Sequence, residues 1–479
     1  MTRDFLAKKS IESLRQEVSE SGSLSLERSL GLVTLISLGV GAIIGAGIFV
    51  ITGQVAANHA GPAIVVSFLL AALGCVLVGL CYAEFASLIP VAGSAYTYAY
   101  ATLGELFAWM IGWDLILEYL FSASTVAVGW SGYVISFLKD CGITIPAILF
   151  APGCNVVAMV LVALMTGLLV VGVRQSTQFN NIVVAVKVIA ILLFIIFGIT
   201  CINQQNWLPF IPKNTGEFGV FGWSGILRGS GIVFFAYIGF DALVSLAQET
   251  ERPQRDIPIA IFIALFISTI LYICISLVLT GVVPYNQLNV PDPIALGVNA
   301  MGIRFVWLRP VIKIAAIAGL SSVVLVSLMA QSRIIYRMAK DGLLPDVLAK
   351  LHPQFKTPYV ATIILGIFSM LAAGLLSIEV LSELVSIGTL LAFFVVSIAV
   401  LVLRLTQPDL HRPFRTPFVP WIPLLGALIS GGQMLSFSLN NWLRLLGWLL
   451  IGILIYFAYG RNKSVVRLES QQENKEVGA

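Results

Sequence analysis

The sequence predicts an all-α integral membrane protein with twelve transmembrane helices, two of them discontinuous. Three observations lead there. Of 479 residues, 58% are hydrophobic and 11% charged, about half the charge of a water-soluble domain, and the mean hydropathy is +0.96. At about 20 residues per crossing, twelve apolar runs would take up roughly half the chain. Finally, the first and sixth runs carry glycines where a straight helix gains nothing from them.

The runs are 32–54, 62–89, 106–138, 155–173, 180–201, 223–248, 258–282, 311–337, 359–377, 380–403, 419–438 and 443–460. Lipid offers no partner to an open strand edge, so each is read as a helix. The third and eighth exceed the bilayer thickness and should tilt or protrude. The first 29 residues mix charges of both signs and lack the apolar core of a signal peptide. Ile11, Leu14 and Val18 fall there at helical spacing, which fits either an amphipathic helix on the membrane surface or a plain cytoplasmic tail. Of the 28 lysines and arginines, twenty fall on one set of connecting segments and seven on the other. The excess of positive charge inside puts both termini in the cytoplasm of a cell-membrane protein.

Several function classes drop out. The net charge is +4 without a basic stripe, which argues against nucleic acid as a partner. The six cysteines lack metal-like spacing, although Cys141 and Cys154 flank one loop and could pair. No Ser/His/Asp order and no nucleotide-binding glycine loop occurs, so neither a membrane enzyme nor an ATP-driven pump is expected, and no cofactor or metal. A channel with a filter repeated by oligomer symmetry stays open.

The first run contains Gly39, Gly41, Gly45 and Gly47 within nine residues, with Ala46 between the last two. Such a segment opens easily. The sixth run, from Gly229 through Phe235 and Ala236 to Gly239 and Asp241, carries a glycine and a carboxylate in mid-span. Interruptions five spans apart mark an inverted-repeat transporter. Broken helices expose N–H groups for a carboxylate and C=O groups for an ammonium, and a zwitterionic amino acid presents both.

Four ionisable side chains lie within spans: Asp114, Glu118, Lys187 and Asp241. Each costs about 3 kcal/mol at mid-bilayer unless it lines a cavity or finds a partner. Glu118 is the deeper of the two acids on the third span and the better functional candidate. Asp114 reads equally as a structural anchor, and Asp241 equally as a cap of the resuming helix or a substrate contact. Glu84, at the inner end of its span, is read as structural. Lys187 lies eight residues into the fifth span, too deep for an easy snorkel to water, where desolvation leaves it able to change charge. A lysine simply paired to a buried acid is the competing reading.

Six ordered blocks then resemble the cationic amino acid transporter family within the amino acid–polyamine–organocation superfamily. After Gly45-Ala46-Gly47-Ile48-Phe49 of the wider superfamily they are Tyr82-Ala83-Glu84-Phe85, Gly112-Trp113-Asp114-Leu115-Ile116-Leu117-Glu118-Tyr119, Gly239-Phe240-Asp241, Glu249-Thr250-Glu251-Arg252-Pro253, Met338-Ala339-Lys340-Asp341-Gly342-Leu343-Leu344-Pro345 and Arg412-Pro413-Phe414-Arg415-Thr416-Pro417. The resemblance implies a five-plus-five inverted repeat of the LeuT type: helices 1–5 in 30–205, helices 6–10 in 206–405, two further helices in 406–460, and cytoplasmic segments 1–29 and 461–479. It implies a substrate carboxylate on backbone amides at Ala46 and Gly47, beside Gly45, and an ammonium on the carbonyls of Ile43, Phe235, Ala236 and Ile238. Phe235 would close over the substrate. Ala46 departs from relatives with serine there, so any hydroxyl contact is missing. In sodium-coupled relatives of the fold a cation sits between the first and eighth spans. In proton-coupled members a fifth-span lysine takes that point, which matches Lys187, with Ser321 or Ser322 as partners on the eighth span. The expected activity is secondary import of amino acids by alternating access, as proton symport. Exchange and sodium symport are the alternatives. L-alanine and the L-arginine, L-lysine and L-ornithine class are equally expected substrates, and the residues name no accessory subunit.

Overall fold

The computed structural model describes residues 8–9, 30–89, 94–151, 153–172, 177–246 and 250–468. The surface helix expected at Ile11, Leu14 and Val18 lies outside them. Each apolar run carries helix. In order these are α1 (Leu32–Ile43), α2 (Ile64–Leu88), α3 (Ser94–Thr102), α4 (Glu105–Asp140), α5 (Val156–Val170), α6 (Thr177–Ile199) and α7 (Gly222–Val233). There follow α8 (Pro253–Val282), α9 (Pro293–Ala300), α10 (Leu308–Lys340), α11 (Tyr359–Leu375), α12 (Ile378–Thr406), α13 (Trp421–Leu435) and α14 (Leu439–Ile455). Hydropathy missed α3 and α9, which have nine and eight residues and are too short to cross. Between α4 and α5, β1 (Phe150–Ala151) pairs antiparallel with β2 (Cys154–Asn155). Cys141 and Cys154 are both free.

Local chemistry sets the helix starts. Asn155 caps α5 by accepting the Ala158 N–H at 3.0 Å. Pro253 opens α8, where its missing N–H costs nothing. Gly61, at φ 60°, lets the chain turn from the first run into α2, a conformation that strains other residues.

Leu164, Ile182, Ile196, Phe368, Leu428 and Leu454 are exposed around the rim of the bundle. A belt of that extent is a lipid face. Inside it, α4 packs on α10, α2 on α8 and α5 on α11. The first helix, α1, rests on α8 and α6, while α7 rests on α2 and α12. Two more pairs stand out: α6 with α10, and α12 with α4.

One face is held by buried carboxylates. Glu84 pairs with Arg404 at 2.9 Å and Arg412 at 3.1 Å, and accepts the Thr416 N–H at 2.8 Å. Glu105 gathers Tyr456, Ser464 and Arg467, which docks residues 464–467 against the start of α4. Asp341 accepts from Tyr96 at 2.7 Å and Lys9 at 2.9 Å. Removing the Glu84 charge strands the Arg412 guanidinium, whose side chain is 1% exposed. Glu84→Gln should therefore cost about 3 kcal/mol. The thermal unfolding midpoint in detergent checks this: it should fall clearly, whereas Glu379→Gln, at an exposed position, should leave it in place.

Candidate functional site

The first run does not continue as one helix. α1 stops at Ile43, Ile44 turns to extended backbone (φ −76°, ψ 92°), and a π-helical turn resumes at Gly47–Ile51. The first N–H groups of the resumed helix have no acceptor within it. The sixth run breaks as well. After α7 comes a 3₁₀ turn, Phe234–Tyr237; Ile238 is then extended (ψ 137°) and Gly239 adopts φ 120°. A single short turn, Ala242–Ser245, follows.

The two breaks meet backbone to backbone. A Cβ on Gly47 would lie 2.3 Å from Ala236 Cβ and 2.4 Å from its Cα. One on Gly239 would lie 2.8 Å from the Ala42 carbonyl carbon. Only glycine permits either approach. Ile43, Gly45, Ala46, Gly47, Phe235, Ala236 and Ile238 are all buried at this junction. Its surroundings are apolar: Val323 of α10 faces Gly45, and Val50 and Ala46 face Gly129 of α4.

Tyrosines from neighbouring helices bind the opened backbone. The Tyr272 hydroxyl of α8 lies 2.9 Å from the Ile43 carbonyl oxygen and 2.6 Å from that of Ala236. It has one proton for two acceptors, so one carbonyl keeps spare capacity. Tyr133 of α4 donates to Phe49 O at 2.8 Å. The Phe235 carbonyl accepts the Ile238 N–H at 3.3 Å. Asp241 reaches back into the break, accepting the Gly239 N–H at 3.1 Å and the Tyr119 hydroxyl at 2.8 Å.

Lys187 projects from α6 to the end of α1. Its Nζ donates to Gly41 O at 2.8 Å and Ile44 O at 2.9 Å, carbonyls a helix end leaves free and negative. No carboxylate pairs with it among the described residues. Its stem lies on α10 at Gly319, where a Cβ would stand 2.2 Å from Lys187 Cδ. The expected partners need correcting here: Ser321 donates to Ile317 O within its own helix, and neither it nor Ser322 bonds the ammonium. The contact with α10 is glycine, because the lysine stem fills the space a side chain would need.

Glu118 and Asp114 are buried on α4, and Asp114 faces Gly388 of α12. Both Asp114 oxygens and Glu118 Oε1 lack a hydrogen-bond partner among the described residues. A cavity of about 500 Å³ opens on the face opposite Glu84, lined by Gln54, His59, Arg228, Ile232, Glu383 and Arg444 among others. Arg228 and Glu383 pair across it at 2.7 Å. Tyr272 and Gly319 escaped the sequence reading, and Tyr119 entered it only as the last residue of a family block. A tyrosine in mid-span was the signal for the first, because a buried phenol needs a partner.

A multi-pass helical protein whose two interrupted helices meet in its interior is built as a transporter. The chain belongs to the amino acid permease family, which it matches over residues 30–458. It is similar to the methylthioribose transporter of Bacillus subtilis, 46% identical over 466 residues, covering 96% of this chain and 98% of that one. The branched-chain amino acid permease BcaP of the same organism is 46% identical over 474 residues, 97% and 99% of the two chains. The vacuolar cationic amino acid transporter 4 of Arabidopsis thaliana is 40% identical over 400 residues, 82% of this chain and 66% of that one. The protein is a transporter, not an enzyme.

Gly47→Val should drive the two breaks apart. Overpacking of this kind costs about 3 kcal/mol, equivalent to about a hundredfold in affinity. Thermal shifts induced by alanine, leucine and arginine check it. Any of the three that stabilises the parent should fail to stabilise the variant, and an unchanged shift would move the site elsewhere.

Proposed function

We propose that the protein imports L-α-amino acids across the cell membrane by alternating access, in symport with protons. The breaks supply backbone N–H groups at Ala46 and Gly47 for the carboxylate. Spare carbonyl capacity around Tyr272 serves the ammonium. Phe235 is the aromatic gate, and Glu118 and Asp241 are the carboxylates nearest the pathway.

The architecture we infer is a five-plus-five inverted repeat of LeuT type, 30–205 and 206–405, with two more crossings in 406–460 and both termini in the cytoplasm. The packing supports it. Counted by apolar run, spans 2 and 7, 3 and 8, and 4 and 9 are partners. Span 1 rests on 5 and 7 as span 6 rests on 10 and 2, and span 8 meets 5 as 3 meets 10. Moving every span by five maps these pairs onto themselves, as a repeat requires. The cavity then faces outward, while the Glu84, Glu105 and Asp341 clusters close the cytoplasmic side.

Lys187 is the observation that carries the coupling. A buried ammonium without a counter-ion is costly, so it is stable only while the carbonyls of α1 surround it. Protonated, it ties α1 against α10 and favours the outward arrangement. Loss of the proton releases that tie, and the charge already present removes the need for sodium. For the substrate, the apolar surroundings of Gly45 and Ala46 favour a neutral aliphatic side chain, in keeping with the branched-chain relative. The cationic relatives carry the alternative. The 46% relative named for methylthioribose supports a second reading, a neutral sugar thioether, which lacks the zwitterion these breaks would bind.

Liposome uptake separates these readings. Alanine and leucine should compete for uptake more strongly than arginine or methylthioribose. In the same liposomes, Lys187→Met should keep substrate binding but lose accumulation driven by an imposed pH gradient, without any dependence on sodium. Exchange of internal for external substrate should survive. Accumulation by the variant at the parent rate would refute proton coupling through Lys187.

A further inference from the structure

A second cavity, a groove of about 320 Å³, runs beside the first turns of α8. Its walls are Gln254, Arg255, Pro258, Ile259 and Phe262 on one side and Pro413 and Phe414 on the other. The second wall is fixed in place: the Phe414 N–H donates to Ser87 Oγ at 3.2 Å, and its neighbours Arg412 and Thr416 are bound to Glu84.

Charge and apolarity are arranged end to end here. Arg255, Ile259, Phe262 and Phe266 follow the spacing i, i+4, i+7, i+11 and share one face of α8. At the rise of a helix, the stripe descends about 16 Å from Arg255 to Phe266, which is roughly half the thickness of a hydrocarbon core. Arg255 is exposed at the top, and Phe266 is 67% exposed below. Arg412 is committed to Glu84, but the guanidinium groups of Arg255 and Arg415 make no hydrogen bond or ion pair with any described residue. A guanidinium in that position gains paired, charge-assisted hydrogen bonds from a phosphate.

We propose that this groove binds an anionic phospholipid, its phosphate on Arg255 and an acyl chain along Ile259, Phe262 and Phe266. In the orientation proposed above the lipid belongs to the cytoplasmic leaflet, where basic pockets beside helices hold acidic head groups. Both walls belong to elements that carry the transport machinery or its inner closure. The α8 wall continues to Tyr272, and the opposite wall hangs from Glu84.

The test uses the full chain, purified and equilibrated with equal amounts of phosphatidylglycerol and phosphatidylcholine, with retained lipid counted by native mass spectrometry. The parent should retain phosphatidylglycerol in preference. Arg255→Ala should lower that retention about fivefold, as should Arg255→Gln, which keeps more of the stem. Arg304→Ala, on the opposite face, should leave it unchanged. Ile259→Trp, which fills the groove while keeping the charge, should lower it too. Equal retention of the two lipids by the parent, or full retention by both Arg255 variants, would overturn the proposal. So would complete displacement of phosphatidylglycerol by equimolar inorganic phosphate, which would mark a free-anion site.

Discussion

The close approach of two opened backbones, Gly47 against Ala236 and Gly239 against Ala42, is the constraint on which the rest of the structure depends. Two continuous helices cannot come this near, because their side chains hold the axes about 8–10 Å apart. Opening both chains at glycine removes the side chains and at the same time frees backbone groups that lipid cannot satisfy. Everything around the junction answers that second consequence. Tyr272, Tyr133, Asp241 and Lys187 each reach from a different segment to a backbone group at or beside a break.

These contacts differ in what they allow. The Asp241 carboxylate is shared between Gly239 and Tyr119, which fastens the sixth-span break to α4. The Tyr272 hydroxyl spans both breaks but can donate to only one carbonyl at a time, so it organises the acceptors without using them up. Lys187 alone brings a basic group. Its bonds to Gly41 and Ile44 are charge-assisted only while the amine is protonated, whereas its packing on Gly319 is the same in either state. In the proposed mechanism such a residue links protonation to the spacing of α1 and α10, and a ligand shifts such an equilibrium only through its different affinity for the two arrangements.

Much of this was legible in the sequence, and the reasons are physical. Hydropathy located the long helices because the bilayer imposes their length, and it missed α3 and α9 because nothing imposes theirs. Glycine density located the first break, since four glycines in nine residues serve no helix, and a glycine with a carboxylate in mid-span located the sixth. Lys187 stood out through the cost of its burial. What the sequence could not convey was pairing across the bundle. Ser321 and Ser322 were reasonable hydroxyl partners by position, but a hydroxyl on a helix finds its own preceding carbonyl first, and Gly319 proved to be the contact. Tyr272 went unnoticed because a tyrosine in an apolar run looks like packing until its two acceptors are placed beside it. The backbone contacts proposed for the substrate would suit any α-amino acid, which is why substrate preference has to be read from side-chain surroundings and relatives.

One coupled event is central to the proposed function: a proton moving with each substrate through the junction of the two breaks. The most direct measurement is the equilibrium accumulation ratio of leucine in liposomes, at a clamped membrane potential, across a series of imposed pH gradients. One unit of pH is about 1.4 kcal/mol of proton free energy. With one proton per substrate, each added unit should therefore raise the ratio about tenfold. A ratio for transported leucine that stays at unity across the whole series would contradict the account.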